Sequence, residues 1–277
     1  MSLNNQNRFD PTPYEWPQAY FDIQYLFAKK IVELNIAPDL PAAIFKYTAI
    51  FRRIYSINPS KSSNIEIPND WVDICQSPDS IWSKYISNPD HLYIERPDKS
   101  DGCHFGSFVY KPYPDSPIIL DPTTSFQKIE LHFNNHRGSG KSEFSRSNSP
   151  EMTQNLVNLF QSVANRMEAD PMFQPKYVTL GSWMNVFPGI ITVLPKEFVS
   201  SGIVLNPPQL SFNGDSLWGQ FLKNSGAVNQ ERYQLFLKNI NKAVDIDTLV
   251  KSFPIPVLLN RGPIDILFKH YNTKIFW

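Results

Sequence analysis

The sequence predicts an α/β or α+β fold with a mixed central sheet, and three observations carry that expectation. Residues 128–133 alternate apolar and polar side chains with the two-residue period of a strand. Residues from Ser149 to Asp170 space their apolar side chains by three and four, as a helix does, and residues 176–181 return to a strand pattern. Strand, helix and strand within one sheet form a parallel crossover. An amphipathic helical pair, 19–34 and 40–55, precedes this unit.

In chain order, residues 1–17 hold Pro11, Pro13 and Pro17 among polar groups and read as an extended arm; 18–277 read as one globular domain, mainly helical over 18–90 and α/β over 91–277. The first helix carries Tyr20, Ile23, Phe27, Ile31 and Leu34. The second carries Ile44, Phe45, Thr48, Phe51, Ile54 and Tyr55. Residues 58–68 are a Ser- and Asn-rich loop, and 70–86 a short helical region interrupted by Pro78. Strands are expected at 91–95, 103–111 and 128–133, kept short by the prolines between them. Ser149 suits an N-cap, Pro150 the first helical position and Glu151 the positive end of the helix dipole. The buried stripe of that helix is Met152, Leu156, Leu159, Phe160, Val163 and Met167. Broken helical turns are expected over 184–199, a loop over 200–215, a helix over 216–223 and another capped by Asn229. A last strand at 255–259 and a closing helix at 264–271 complete the chain.

At 277 residues and 42% hydrophobic content, the chain can bury about three quarters of the surface its unfolded form exposes. Lys plus Arg equals Asp plus Glu at 26 each, so no global field favours nucleic acid or an acidic membrane, and electrostatic recognition has to be local. Two cysteines, Cys75 and Cys103, give no disulfide framework or four-thiolate zinc site. With no apolar signal core at 1–10 and no stretch near the ~20 apolar residues of a membrane helix, the expectation is a soluble, cytoplasmic protein; secretion without a cleavable signal stays open.

The candidate chemistry lies on and after the 128–133 strand. Glu130 and His132 share one strand face, where a carboxylate can polarise an imidazole for general-base work; two histidines held by ordinary hydrogen bonds are the plainer reading. The following loop contains His136, Arg137, Gly138, Gly140, Lys141 and Ser142, with two glycines for close backbone approach and two cations for an anion. Ligands of open α/β sheets sit beyond the carboxyl ends of the strands, which adds Ser182 and Trp183 at the end of the 176–181 strand. His132 and His136 sit on strand and loop and make a poor metal pair, so no metal site is assigned. The aromatic residues, 14% of the chain, read first as core and second as a stacking platform.

Gly140-Lys141-Ser142 resembles the end of a phosphate-binding P-loop, although Asn135 stands where its first glycine belongs. Asn135 to Gly140 resembles the pyrophosphate-binding segment of acetyl-coenzyme A dependent N-acetyltransferases. That likeness covers six residues and implies that Gly138 and Gly140 offer backbone amides to pyrophosphate. Separated segments, Ile44 to Thr48, Ile129 to Asn134, Leu180 to Met184, Val186 to Pro188 and Leu217 to Val228, resemble an uncharacterised bacterial protein family. This resemblance implies one continuous unit and carries no activity; the chain departs from the family's pattern over Asn185 to Ile191.

Two functions follow as expectations. The first is a small-molecule binder or enzyme acting on an anionic ligand at the 132–142 loop, acyl-coenzyme A dependent transfer included, with Glu130 and His132 catalytic and no cofactor specified. The second is a non-catalytic protein-interaction module that uses a helical or aromatic surface.

Overall fold

The computed structural model describes residues 16–59, 64–88, 103–111, 128–133, 145–223 and 227–273. The strands are β1 His104–Phe105, β2 Phe108–Lys111, β3 Lys128–Phe133, β4 Tyr177–Ser182, β5 Ile203–Val204 and β6 Leu258–Pro263. They form one mixed sheet in the order β1-β2-β3-β4-β6-β5. Only the β3–β4 pair is parallel, and the helix between them is α6, Ser149–Ala169, as the strand-helix-strand pattern predicts. The fold is mixed α/β with helices at its N-terminus, in agreement with the sequence.

One sheet face is apolar because strand parity makes it so. Ile129 and Leu131 on β3, Phe108 and Tyr110 on β2, and Val178 and Leu180 on β4 are all buried against α6, which contributes Met152, Leu156, Leu159, Phe160 and Val163. Five of the six stripe residues read from the sequence are buried, and Met167 is partly so. The helix starts one residue earlier than a Ser149 cap requires. A 3-10 turn, Arg146–Asn148, leads into it, and Ser149 already has helical angles. The first turn of the sheet presses on the same helix: Gly106, at φ +54, has no room for a Cβ, which would lie 2.1 Å from the Asn155 amide nitrogen. That turn divides the strand expected over 103–111 into the β1–β2 hairpin.

A second core gathers the N-terminal helices α1 Gln18–Glu33, α2 Leu40–Tyr47, α3 Ile50–Tyr55, α4 Trp71–Ile74 and α5 Pro78–Ser87. It draws equally on residues from Leu205 to Leu259, among them Phe212, Trp218, Phe236 and Phe253, so the helical core extends beyond the 18–90 stretch. The helix expected over 40–55 is broken at Thr48. Its backbone is extended while its hydroxyl donates to Ile44 O and accepts from Ile50 N, and Ala49 N donates to the Gln24 side chain of α1 at 2.7 Å. A side chain that bonds its own backbone competes with the helix ladder, and here it wins.

The later elements are α7 Pro188–Val193, α8 Lys196–Ser200, α9 Asp215–Trp218, α10 Gln230–Ile240, α11 Ile246–Val250 and α12 Ile264–His270. Asn229 caps α10 as expected, its side chain accepting from Arg232 N. Two elements correct the sequence reading: β5 lies within the expected 200–215 loop, and α11 opens with an Asp245/Thr248 capping box. The last strand begins at Leu258 rather than residue 255. The expected 91–95 strand falls outside the described residues.

Asn185 clips the sheet to the turn after β4. Its Nδ2 lies 2.8 Å from Leu180 O, 3.0 Å from Leu258 O and 2.7 Å from Asn260 Oδ1, while Asn260 Nδ2 donates to the carbonyls of Phe198 and Val199. Removing a buried donor strands its acceptors at about 1–3 kcal/mol each. Asn185→Ala is therefore expected to destabilise by about 2–4 kcal/mol, against under about 0.5 kcal/mol for an exposed control such as Gln154→Ala. Urea denaturation of the two variants checks this.

Candidate functional site

The face of β3 opposite Ile129 and Leu131 carries Lys128, Glu130 and His132, and the register places charged partners beside them. One row across the sheet reads Lys111 on β2, Glu130 on β3, Thr179 on β4 and Arg261 on β6. A second row, toward the end of β3, reads His104 on β1, Val109 on β2 and His132 on β3. A third, toward its start, reads Lys128, Tyr177 and Pro263. Side chains directly opposite on one face stand about 4.5–5.5 Å apart at Cβ, close enough for their charges to act together.

The same face is apolar at its other end, where Leu259 of β6 enters the helical core. The sheet face is thus divided between an apolar half that docks the helices and a polar half centred on β3. Among the described residues the polar half carries three permanent cations, Lys111, Lys128 and Arg261, against one carboxylate, Glu130.

Glu130 and His132 form the centre of the cluster. His132 Nε2 lies 3.5 Å from Glu130 Oε2, with 31% of the histidine side chain and 22% of the glutamate side chain exposed. That separation is long for a hydrogen bond, so the contact is mainly electrostatic. Nε2 is otherwise enclosed without a hydrogen-bond partner. Burial pushes the Glu130 carboxyl up, but contact with His132, followed by the charges of Lys111 and Lys128, more than offsets it, and the group is held below its usual range. Burial is also the largest influence on Lys128, lowering its ammonium; Glu130 opposes that shift and Arg261 adds repulsion. The Arg261 guanidinium stacks over the Tyr177 ring at 4.8 Å.

Ser182 sits at the predicted strand end but on the opposite face, and Trp183 lies just past that end, in the 3-10 turn Trp183–Val186. Ser182 has the parity of Val178 and Leu180, is buried, and its Oγ accepts from Met184 N at 3.0 Å. Trp183 packs against the helical core, edge-on to Phe187 with ring centroids 5.4 Å apart, and the Arg232 guanidinium lies 5.2 Å from its ring. Neither side chain joins Glu130 and His132: Ser182 lies on the other face of the sheet, and Trp183 turns into the helical core. His136, Arg137, Gly138, Gly140, Lys141 and Ser142 lie outside the described residues. Lys111, Lys128, Thr179 and Arg261 are the cluster members that sequence reasoning missed. Lys128 was legible from strand parity, whereas the others depend on register between strands up to 150 residues apart.

Cys75 and Cys103 are both buried, one in each core, and are not joined in a disulfide. Among the described residues no group of three or more His, Cys, Asp or Glu side chains is placed to hold a metal ion, and no helix is long and apolar enough to cross a membrane. Comparison of the chain with protein-family models, with curated proteins and with solved structures returns no match.

The depressed Glu130 carboxyl makes a prediction with a definite sign. A group held low in the folded chain contributes stability that is fully present above its ordinary value of 4.5 and is lost as pH falls through the lower folded value. Glu130→Gln is therefore expected to be less stable than wild type at pH 7, with the gap closing as the pH is lowered toward about 3. Urea midpoints across that range test it; a gap independent of pH would place the loss in packing.

Proposed function

We propose that this protein binds an anionic small molecule at the polar half of its sheet and is equipped to move a proton there. The observation that carries this reading is the row that, among the described residues, places Lys111, Thr179 and Arg261 beside Glu130, with Lys128 next along the strand. Glu130 faces His132 Nε2, so the carboxylate orients the imidazole. Contacts of this type are often long before substrate arrives and tighten around it.

The chain runs from Phe133 directly into the segment carrying His136, Arg137, Gly138, Gly140, Lys141 and Ser142, which adds two cations and two glycines in sequence next to the cluster. Acyl-coenzyme A is the ligand that the resemblance of Asn135 to Gly140 favours. In acyl transfer, His132 would take the proton of the attacking nucleophile as that atom bonds to the thioester carbonyl carbon, and would return it to the coenzyme A sulfur as the carbon–sulfur bond breaks and the thiol leaves. Lys111, Lys128 and Arg261 would meet the phosphates.

A protein-interaction role is the second reading. It draws on the sheet edge, where Ile203 and Val204 of β5 are both exposed.

A thermal-shift screen of anionic metabolites and acetyl-coenzyme A tests the first reading. A ligand at 100 times its Kd adds about 2.7 kcal/mol, which for a chain of this size raises Tm by about 5–10 °C. Lys111→Ala combined with Lys128→Ala is expected to remove most of that rise. A rise unaltered by the double substitution would place the ligand elsewhere, and no rise with any anion would favour the interaction role.

A further inference from the structure

We infer that the corner between the turn after β4 and the start of α10 is a second ligand site, which takes a carboxylate carried on an aromatic ring. It is separate from the polar half of the sheet and does not depend on a ligand there.

Trp183, Phe187 and Arg232 build the corner, and all three side chains are partly buried. The two rings stand edge to face with centroids 5.4 Å apart, and the Arg232 guanidinium lies 5.2 Å from the first and 5.5 Å from the second. Arg232 Nη1 donates to Gln220 O at 2.8 Å; among the described residues its other guanidinium donors meet no acceptor and form no ion pair. Nor does an acceptor among those residues meet the Trp183 indole N–H. Burial lowers the Arg232 guanidinium. Glu231 opposes that shift from the adjacent helical position, and adjacent positions on a helix do not face one another. Arg232 also stands in the first turn of α10, where the helix dipole adds positive potential.

Donors without acceptors between apolar walls call for a ligand made of acceptors on an apolar body. A carboxylate matches the planar guanidinium fork, and its single charge matches the single cation, which a phosphate dianion would exceed. Trp183 and Phe187 offer ring surface to an aromatic body. Gly219 keeps the corner open. Its φ is not positive, so its backbone does not demand glycine, and an added Cβ would meet Trp183 Nε1 at an ordinary 3.7 Å. The space that a side chain would take lies beside the indole N–H, and the next carbonyl along, Gln220 O, is the one that holds Arg232. Both donors thus border the Gly219–Gln220 backbone, where the two oxygens of one carboxylate can be shared between guanidinium and indole.

Benzoate is the probe, with benzyl alcohol as its neutral counterpart and acetate as a carboxylate without a ring. The full chain, labelled with nitrogen-15, is titrated by NMR through the indole N–H signals of its six tryptophans. The Trp183 signal is the one absent from Trp183→Phe; if that variant does not fold, Gly219→Ala identifies the signal, because the added methyl lies against that indole. Benzoate is expected to move the Trp183 signal downfield to saturation, with both control compounds at least about tenfold weaker. Arg232→Lys keeps the charge and loses the fork, and is expected to weaken benzoate about tenfold. Gly219→Ala is expected to weaken it without lowering Tm, since alanine suits this helical turn better than glycine. A Trp183 signal unmoved by benzoate, an equal affinity in wild type and Arg232→Lys, or benzyl alcohol binding as tightly as benzoate would each overturn the site. Benzoate that binds with Trp183 unmoved and is lost with Lys111→Ala plus Lys128→Ala would overturn it in favour of the β3 face.

Discussion

Two side chains with no solvent exposure, Ile129 and Leu131, decide where the chemistry of β3 can stand. Burying each against α6 is worth about 1.5–3 kcal/mol, and a slip of one residue would exchange them for Lys128, Glu130 and His132. No arrangement that places three ionisable groups under α6 competes with that. The polar triplet is therefore fixed to the opposite face by the packing of its neighbours. The same parity carries through the register to Lys111, Thr179 and Arg261. The cluster is a consequence of core packing on the far side of the sheet and needs no dedicated scaffold.

What remains of that second face is divided by the helical core. Leu259 enters it on β6, while two strands away Glu130 stands among cations. A carboxylate moved out of water is disfavoured unless charges compensate. Glu130 meets this condition through His132, Lys111 and Lys128, and its lowered carboxyl is the sign that compensation exceeds burial. Lys128 shows the reverse balance: burial and Arg261 outweigh Glu130. Both groups are displaced downward, Glu130 by its cationic neighbours and Lys128 by burial, and displaced groups in one cluster mark structural ion pairs as well as functional sites.

The fold was legible where a local pattern met a long element. The 128–133 strand, the α6 stripe, the Asn229 cap and the closing helix all follow from periodicity and capping within the segment itself. Sequence reading failed where the deciding partner was remote or the element short. The break at Thr48 depends on Gln24 of a different helix, and the two-residue β5 has no periodicity to detect. The candidate site divides the same way. Glu130 and His132 are two apart on one strand, so their shared face could be read directly. Arg261 becomes their neighbour only through the β4–β6 register, and no linear pattern joins it to residue 130. Ser182 was misplaced because position along a strand was read without its face, and the side chain serves as a turn cap.

The treatment of buried polar groups elsewhere in the chain gives the Glu130–His132 contact its weight. Gln24, Asn213, Gln220 and Asn260 are buried amides whose side chains reach backbone partners, mostly at 2.7–3.0 Å and at most 3.2 Å. Only the Oδ1 of Asn185 departs from that pattern within these networks. Pairing of this quality holds loops to helices and strands, and a purely structural carboxylate–imidazole pair would be expected to close as tightly. At 3.5 Å, with Nε2 enclosed and without another partner, the pair is ordered by charge but not locked by a hydrogen bond. Among the described residues Asp22 Oδ1, Asn185 Oδ1 and Thr273 Oγ1 are likewise enclosed without a hydrogen bond, so what sets the Glu130–His132 pair apart is the charge gathered around it rather than the missing bond alone.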